Sequence, residues 1–302
     1  MKIIKNNLDK IKLPPSSRIP IETSDNLFTH HNIMLVLGKR GSGKSVFITN
    51  YLRLLKEESK SDRILVISPT IESNQALLDQ LGINSGDCFD PDEPSTVQNI
   101  LDIVDEERDD YENYIIKKQR YKELSRLINS NYPIELIDDY LLLEFPDLLP
   151  PQSRYGHRPI IHLFVDDCQS SKLFRDKKFL NLTIRHRHLG GMSFNPKVDK
   201  ELCGSIGLSM YIAIQNLKAQ AGGCPRSIRN NCTQMILVGK SKDEKELDDI
   251  YSSVAGEVSK DDFMEGYEYA TKEPHNSFVI DLNPKSIHKS RFRKNMNEFL
   301  IM

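Results

Sequence analysis

A glycine-rich octet that closes the first apolar run constrains this chain more than any other feature. Residues 32–37 read as a short buried strand and lead into Gly38-Lys39-Arg40-Gly41-Ser42-Gly43-Lys44-Ser45. Residues 46–57 then carry Phe47, Tyr51, Leu54 and Leu55 at helical spacing. Strand, G-x-x-x-x-G-K-S and helix, in that order, is the context that separates a P-loop from a chance string or an ordinary Gly-rich turn. The glycines let backbone N–H groups turn inward around phosphates, and the helix N-terminus adds partial positive charge. Lys44 can reach the β- and γ-phosphates, and the Ser45 hydroxyl can ligate Mg²⁺. The expectation is a nucleoside triphosphate, ATP with Mg²⁺, cradled by Gly38, Gly41, Ser42, Gly43, Lys44 and Ser45.

With 302 residues, the chain can form one large α/β domain with insertions or two small domains. Further strands are predicted over 63–68, 160–165, 208–214, 234–238 and 278–282, and helices over 94–129, 134–145 and 243–254. Residues 1–30 contain Pro14, Pro15 and Pro20 and read as an N-terminal arm or a first edge strand. Residues 31–302 then form the nucleotide-binding domain, with an α-helical insertion at about 90–155. Strands apolar throughout and separated by helical segments indicate a mainly parallel sheet covered on both faces. Ligands then lie beyond the carboxyl ends of the strands, so Gly38, Asp166-Asp167 and Gln215 are expected to meet at one edge. The insertion reads either as a solvated cover or as a lid or partner surface.

The strand over 160–165 projects Asp166 and Asp167 at its tip, in the form of a Walker B strand. Asp166 would hold Mg²⁺ through water and neutralise charge on the phosphates, which makes Ser45 and Asp166 the metal pair. Asp167 stands where a carboxylate can orient or deprotonate an attacking water. Its alternative role is to cap the following helix, since Asp is a favoured N-cap. Gln215 ends the strand over 208–214; a neutral amide there can sense the γ-phosphate or hold the water without adding charge.

The formal net charge of -2 hides an acidic stretch over 87–112 and a basic one over 285–294. Near-neutrality neither demands nor excludes nucleic acid, because a local patch suffices. Five cysteines, odd in number and without a C-x-x-C pair, argue against a disulfide framework and a zinc site and fit a reduced intracellular setting. His186 and His188 are flanked by Arg185 and Arg187, which would repel a metal ion, so a phosphate-facing or structural role is expected. No apolar stretch approaches the ~20 residues of a membrane span, and residues 1–12 lack the apolar core of a signal peptide.

In these motifs the chain resembles the FtsK/HerA superfamily of DNA-pumping ATPases. Within it, the similarity is to the genome-packaging ATPases of poxviruses, other large DNA viruses of eukaryotes and virophages. The resemblance rests on the octet, Ile67-Ser68-Pro69-Thr70, residues 163–168, Arg187-His188-Leu189-Gly190, the strand ending in Gln215, and Pro225-Arg226-Ser227-Ile228-Arg229-Asn230-Asn231. A tail from Leu247 through Tyr267-Glu268-Tyr269-Ala270-Thr271 to Phe278-Val279-Ile280-Asp281 is also similar, and coverage runs from about residue 30 to 295. One departure is that residues 192–207 separate the Arg-His element from the Gln strand, which the family usually joins almost directly.

The resemblance implies a RecA-like P-loop fold and a homo-oligomeric ring, pentamer or hexamer. Each ATP site would be completed by a neighbour's arginine finger, Arg187 first, with Arg185, Arg226 and Arg229 as rivals. It further implies an ATPase that moves double-stranded DNA, without sequence specificity, into a capsid. Capsid-vertex proteins would be its partners, it would work without a membrane, and its place would be the host cytoplasm at the site of virus assembly and the virion. Lys172, Arg175, Lys177 and Lys178, or Lys285, Lys289, Arg291, Arg293 and Lys294, could track a phosphate backbone; the plainer reading of either cluster is a solvated face. The alternatives are a cellular DNA-translocating ATPase, a small-molecule kinase, and a nucleotide-binding capsid-vertex subunit with little hydrolysis.

Overall fold

The computed structural model describes residues 21–302 apart from 25, 72–74, 193–201, 203, 219–222, 242 and 285–290. In chain order the elements are β1 (Ile33–Leu37), α1 (Lys44–Glu57), β2 (Arg63–Ile67), α2 (Gln75–Gln80), β3 (Cys88–Phe89), α3 (Thr96–Asn129), α4 (Asp139–Glu144), β4 (Ile161–Val165), α5 (Lys177–Arg185), β5 (Ser209–Ile214), α6 (Arg226–Asn231), β6 (Gln234–Val238), α7 (Glu244–Tyr251), α8 (Lys260–Ala270), β7 (Ser277–Asp281), β8 (Phe292–Lys294) and β9 (Glu298–Leu300). The strands form one sheet in the order β3-β2-β4-β5-β1-β6-β7-β8-β9. It is the α/β, mainly parallel sheet flanked by helices that the sequence predicts.

Alternate side chains of each strand point to opposite faces, and both faces are covered. Ile33, Leu35, Leu37, Leu163 and Ile212 pack beneath α3, α5, α6, α7 and α8. Met34, Val36, Val66, Tyr211 and Ala213 pack against α1 and α2. On α1 the buried residues Ile48, Tyr51, Leu52 and Leu55 share the stripe that faces the sheet. Each such side chain, fully removed from water, contributes about 1.5–3 kcal/mol. Within β4, Nδ1 of His162 accepts from the Tyr211 hydroxyl at 3.0 Å and Nε2 donates to Lys60 O at 3.0 Å. Burial lowers its pKa to about 4, so the ring is a neutral part of the core.

The strands from β3 to β6 run parallel, whereas β7, β8 and β9 are antiparallel to their neighbours. The sequence places one helix, 243–254, between β6 and the last predicted strand; the structure has two, α7 and α8. Two helical legs return the chain to the edge it left, where Gly239 N donates to Asn276 O at 2.9 Å, so β7 must run back down the sheet.

Three further expectations are corrected. Leu27 and Phe28, assigned to the N-terminal arm, are buried, and Phe28 packs on Tyr51, whose hydroxyl accepts from Phe28 N at 3.1 Å; residues 1–20 lie outside the described residues. The helix predicted over 134–145 is a 3₁₀ turn over 134–136 followed by α4, which Asp138 caps by accepting from Tyr140 N. In the basic tail, Arg291 pairs with Glu257 at 2.6 Å, Arg293 is buried, and Lys294 lies 4.8 Å from the Tyr269 ring. Those three cations are therefore used inside the protein, not on a phosphate track; Lys285 and Lys289 lie outside the described residues.

Helix α3, at 34 residues, is about 50 Å long. Its first turns bury Val97, Ile100 and Val104 on the sheet. Glu107, buried, then accepts from Arg63 and Arg154 at 2.9 Å each and from the Tyr155 hydroxyl at 3.2 Å, while Arg63 also holds Asp87 at 2.8 Å. This cluster fastens the middle of α3 and the segment returning to β4 to the amino end of β2. Beyond it, Tyr111 and Ile115 pack with Met192 and Leu202, and Leu124 packs with Ile137 and Phe145. The insertion thus leaves the sheet after β3, at the carboxyl end of β2, and α3 carries it past the amino end of the strands, where its distal part packs on itself.

Candidate functional site

The octet turns from β1 into α1 as the sequence predicts. Gly43 is the N-cap of α1 with φ +103°, and no side chain caps the first turn. A Cβ at Gly38 would lie 2.7 Å from Val238 O and 2.5 Å from Ser42 Oγ, so only glycine lets the loop fold back over the strand tips. Lys44 Nζ donates to Gly38 O at 2.8 Å and Lys39 O at 3.0 Å. Burial lowers the Lys44 pKa, while Asp166 and Asp167 pull it upward.

β5 lies between β1 and β4, which sets Gln215 between the P-loop and the Asp166-Asp167 pair. The Ser45 hydroxyl meets both Asp166 carboxylate oxygens, at 2.9 and 3.0 Å. Asp166 is buried and its N–H donates to Ile67 O at 2.9 Å. A hydroxyl and a carboxylate converging beside a phosphate-type loop are the hard oxygen donors that suit Mg²⁺. Among the described residues, no group of three or more His, Cys, Asp or Glu offers a competing metal site.

Asp167 points elsewhere. Its backbone has φ +51°, and its carboxylate accepts from Gln215 Nε2 at 3.0 Å. Its helix-capping alternative falls away, because Ser171 precedes the next 3₁₀ turn and Asp176 caps α5. The structure therefore brings Lys44, Ser45, Asp166, Asp167 and Gln215 to one edge.

Two cavities flank the octet. One of about 910 Å³ runs along Val46, Asn50 and Arg53 of α1 to His275, Asn276 and residues 295–297; its volume is in the range of small-molecule sites. The other, about 320 Å³, lies between Gly38, Gln215, Gly239 and Glu246. His275, with φ +66°, places Nδ1 2.9 Å from Ser42 O and so touches the P-loop backbone. Sequence reasoning missed His275, Asn276 and the 295–297 segment, as well as Gln169. They sit in irregular turns whose position depends on strand pairing, and no local pattern marks them.

Arg187 is not brought to this edge. The adjoining His186 places Nε2 3.1 Å from His31 O, below the amino end of β1, and Nδ1 2.9 Å from Thr183 O. That histidine is buried and its pKa lowered by burial, a structural role. Arg185 and Arg187 are exposed; Arg226 is exposed on α6, and Arg229 donates to Cys224 O at 3.1 Å. Lys172, Arg175, Lys177 and Lys178 are all exposed.

No family profile matches the chain, and no curated protein matches it. Among solved structures it is similar to the genome packaging NTPase B204 from Sulfolobus turreted icosahedral virus 2 in complex with sulfate, at 10% identity over 89% of this chain and 97% of that one, with a TM-score of 0.47. It is also similar to VirB4 of Thermoanaerobacter pseudethanolicus, at 11% identity, 89% of both chains and a TM-score of 0.38. A third is the pCW3 conjugation coupling protein TcpA with ATPγS, at 16% identity over 72% of this chain and 51% of that one, with a TM-score of 0.36. Similarity at these levels attaches none of their activities to this chain.

Proposed function

We propose that this protein is a Mg²⁺-dependent ATPase whose hydrolysis drives double-stranded DNA into a viral capsid as a homo-oligomeric ring at the capsid vertex. The observation that carries the ATPase reading is the meeting of Ser45 with Asp166, and of Asp167 with Gln215, beside the Lys44 loop. When bound, Mg²⁺ would be held by Ser45 and Asp166 and would neutralise charge on the β- and γ-phosphates. Lys44 exchanges its loop carbonyls for phosphate oxygens, Asp167 orients or deprotonates the lytic water, and Gln215 holds that carboxylate. The DNA-packaging part of the reading is supported by the motif resemblance and by the exposed lysines and arginine of the 172–178 segment. The setting would be the virus assembly site in the host cytoplasm and the virion.

A second reading, a vertex subunit that binds ATP and barely cleaves it, draws on one observation: Asp167, short and turned toward Gln215, engages the amide that would otherwise meet the γ-phosphate. Phosphate release with and without duplex DNA separates the two. The motor requires release that DNA stimulates and that Lys44→Ala abolishes. Asp166→Asn should depress Mg²⁺-dependent turnover more than nucleotide binding. Hydrolysis at the normal rate in the Lys44 variant would show the site to be misassigned, and tight ATP binding without turnover would favour the vertex subunit.

A further inference from the structure

Gln169 stands four residues beyond the end of β4 and reaches across to the end of β5. Its Oε1 accepts from Gln215 N at 2.7 Å and from Asn216 N at 3.3 Å, and its Nε2 donates to Asn216 O at 2.8 Å. The amide is thus used at both ends, pairing with the backbone of residues 215 and 216 as a further strand residue would. β4 has stopped at Val165, paired with Ile212, so the last two residues of β5 and Gln215 extend past their neighbour on that side. Without Gln169, the Gln215 N–H would have no partner from β4. Only one amide orientation satisfies the arrangement, since two N–H groups converge on one atom and a carbonyl faces the other.

Two features at the same tip need such support. Asp167 holds a left-handed backbone, φ +51°, a conformation that persists only where its surroundings over-determine it. Its carboxylate depends on the side-chain amide of Gln215, and that side chain can be no better placed than its own backbone. On the far side, Leu217 N is held by Glu246 at 2.7 Å. Gln169 and Glu246 therefore fix three successive N–H groups, 215 to 217, on which the Asp167–Gln215 contact is built.

The geometry points to Gln169 as a positioning residue for hydrolysis: it aligns Gln215, and through it Asp167, without touching nucleotide. This rests on the ATPase reading above. Effects of residues that act as one unit are not additive, so the test is a cycle of Gln169→Leu, Gln215→Ala and the double variant in the full chain. ATP turnover, affinity for a non-hydrolysable ATP analogue and thermal unfolding are measured for each. Gln169→Leu should lower kcat about tenfold or more, which corresponds to about 1.4 kcal/mol, while analogue affinity stays within about twofold and the unfolding midpoint is retained. Gln169→Glu keeps both acceptor bonds and loses the donor, so its kcat should fall between wild type and the leucine variant. The double variant should be no slower than the slower single one. Wild-type kcat in Gln169→Leu, a loss of affinity equal to the loss of rate, or additive losses in the double variant would each overturn the assignment. If the unmodified protein shows no Lys44-dependent hydrolysis, the ATPase reading falls and this one with it; unaffected Gln169→Leu in a hydrolysing protein sinks this one alone.

Discussion

Asp166 and Asp167 are adjacent carboxylates whose environments give them different work. Asp166 continues the line of β4 and is buried against Ser45, whereas Asp167 is exposed and turned by a positive φ onto Gln215. That turn costs about 1–3 kcal/mol, and Asp is one of the few L-residues that visits it at all, and then only occasionally. The split predicts different failures on neutralisation. Asp167→Asn should still bind ATP and retain it uncleaved, with turnover down by about 10²–10⁴, the usual contribution of a positioned general base. Gln215→Ala should slow turnover less and blunt its response to DNA. Filter binding with labelled ATP and single-turnover cleavage distinguish retention from loss of affinity. Equal falls in affinity and rate in both variants would mean damage to the strand tips, not to the chemistry.

At the scale of elements, the octet and the Asp-Asp strand were legible because their signals are contiguous: an apolar run, a fixed residue order and an abrupt change of pattern. The long helix was legible for the same reason, expected over 94–129 and found over Thr96–Asn129. What escaped is short or depends on pairing. β3 has two residues and β8 and β9 three each, too few to display a period of two. Arg293 shows the consequence. In the sequence it belongs to a basic run suited to phosphates; in the sheet, β8 pairs with β7 and carries the guanidinium inward. There it lies 4.8 Å from the Phe28 ring and 4.6 Å from Phe299, donates to Asn26 O at 2.8 Å, and stands 3.9 Å from buried Asp281. Removing one partner of a buried pair strands the other charge, and two cation–π contacts go with it. Arg293→Ala should therefore lower unfolding stability by about 3–5 kcal/mol, read as a reduced urea midpoint. Lys178→Ala, on an exposed surface, should change it by less than about 0.5 kcal/mol. If Arg293→Ala instead leaves the midpoint unchanged and weakens DNA binding, the sheet edge has been assigned the wrong role.

On the scale of the whole molecule, the sheet has two chemically distinct edges. Lys44, Asp166 and Gln215 gather beyond the carboxyl ends of the strands, while Arg187 adjoins His186 below the amino end of β1. Five strand residues separate the edges, about 17 Å at strand rise, so Arg187 cannot serve the nucleotide of its own chain in this fold. An exposed arginine at that edge is useful to hydrolysis only if a second copy presents its P-loop there, in the head-to-tail contact that closes into a ring. Arg187→Ala protein should bind ATP normally and fail to hydrolyse it, since a finger supplied in trans can be worth ~10³–10⁵ in rate. Mixing it with Lys44→Ala protein should restore part of the activity. In random mixed rings, about a quarter of interfaces would join an intact P-loop to a neighbour's intact Arg187. Because residues 192–207 separate Arg187 from β5, the same mixture is to be made with Arg229→Ala. Arg229 is tied to Cys224 O in the free chain and would have to release that carbonyl to act. Rescue by Arg187→Ala alone assigns the finger; rescue by Arg229→Ala alone moves it to α6. If both variants bind ATP and neither mixture recovers hydrolysis, completion of the site by a neighbour is ruled out for these two arginines, and the ring mechanism loses its chief support.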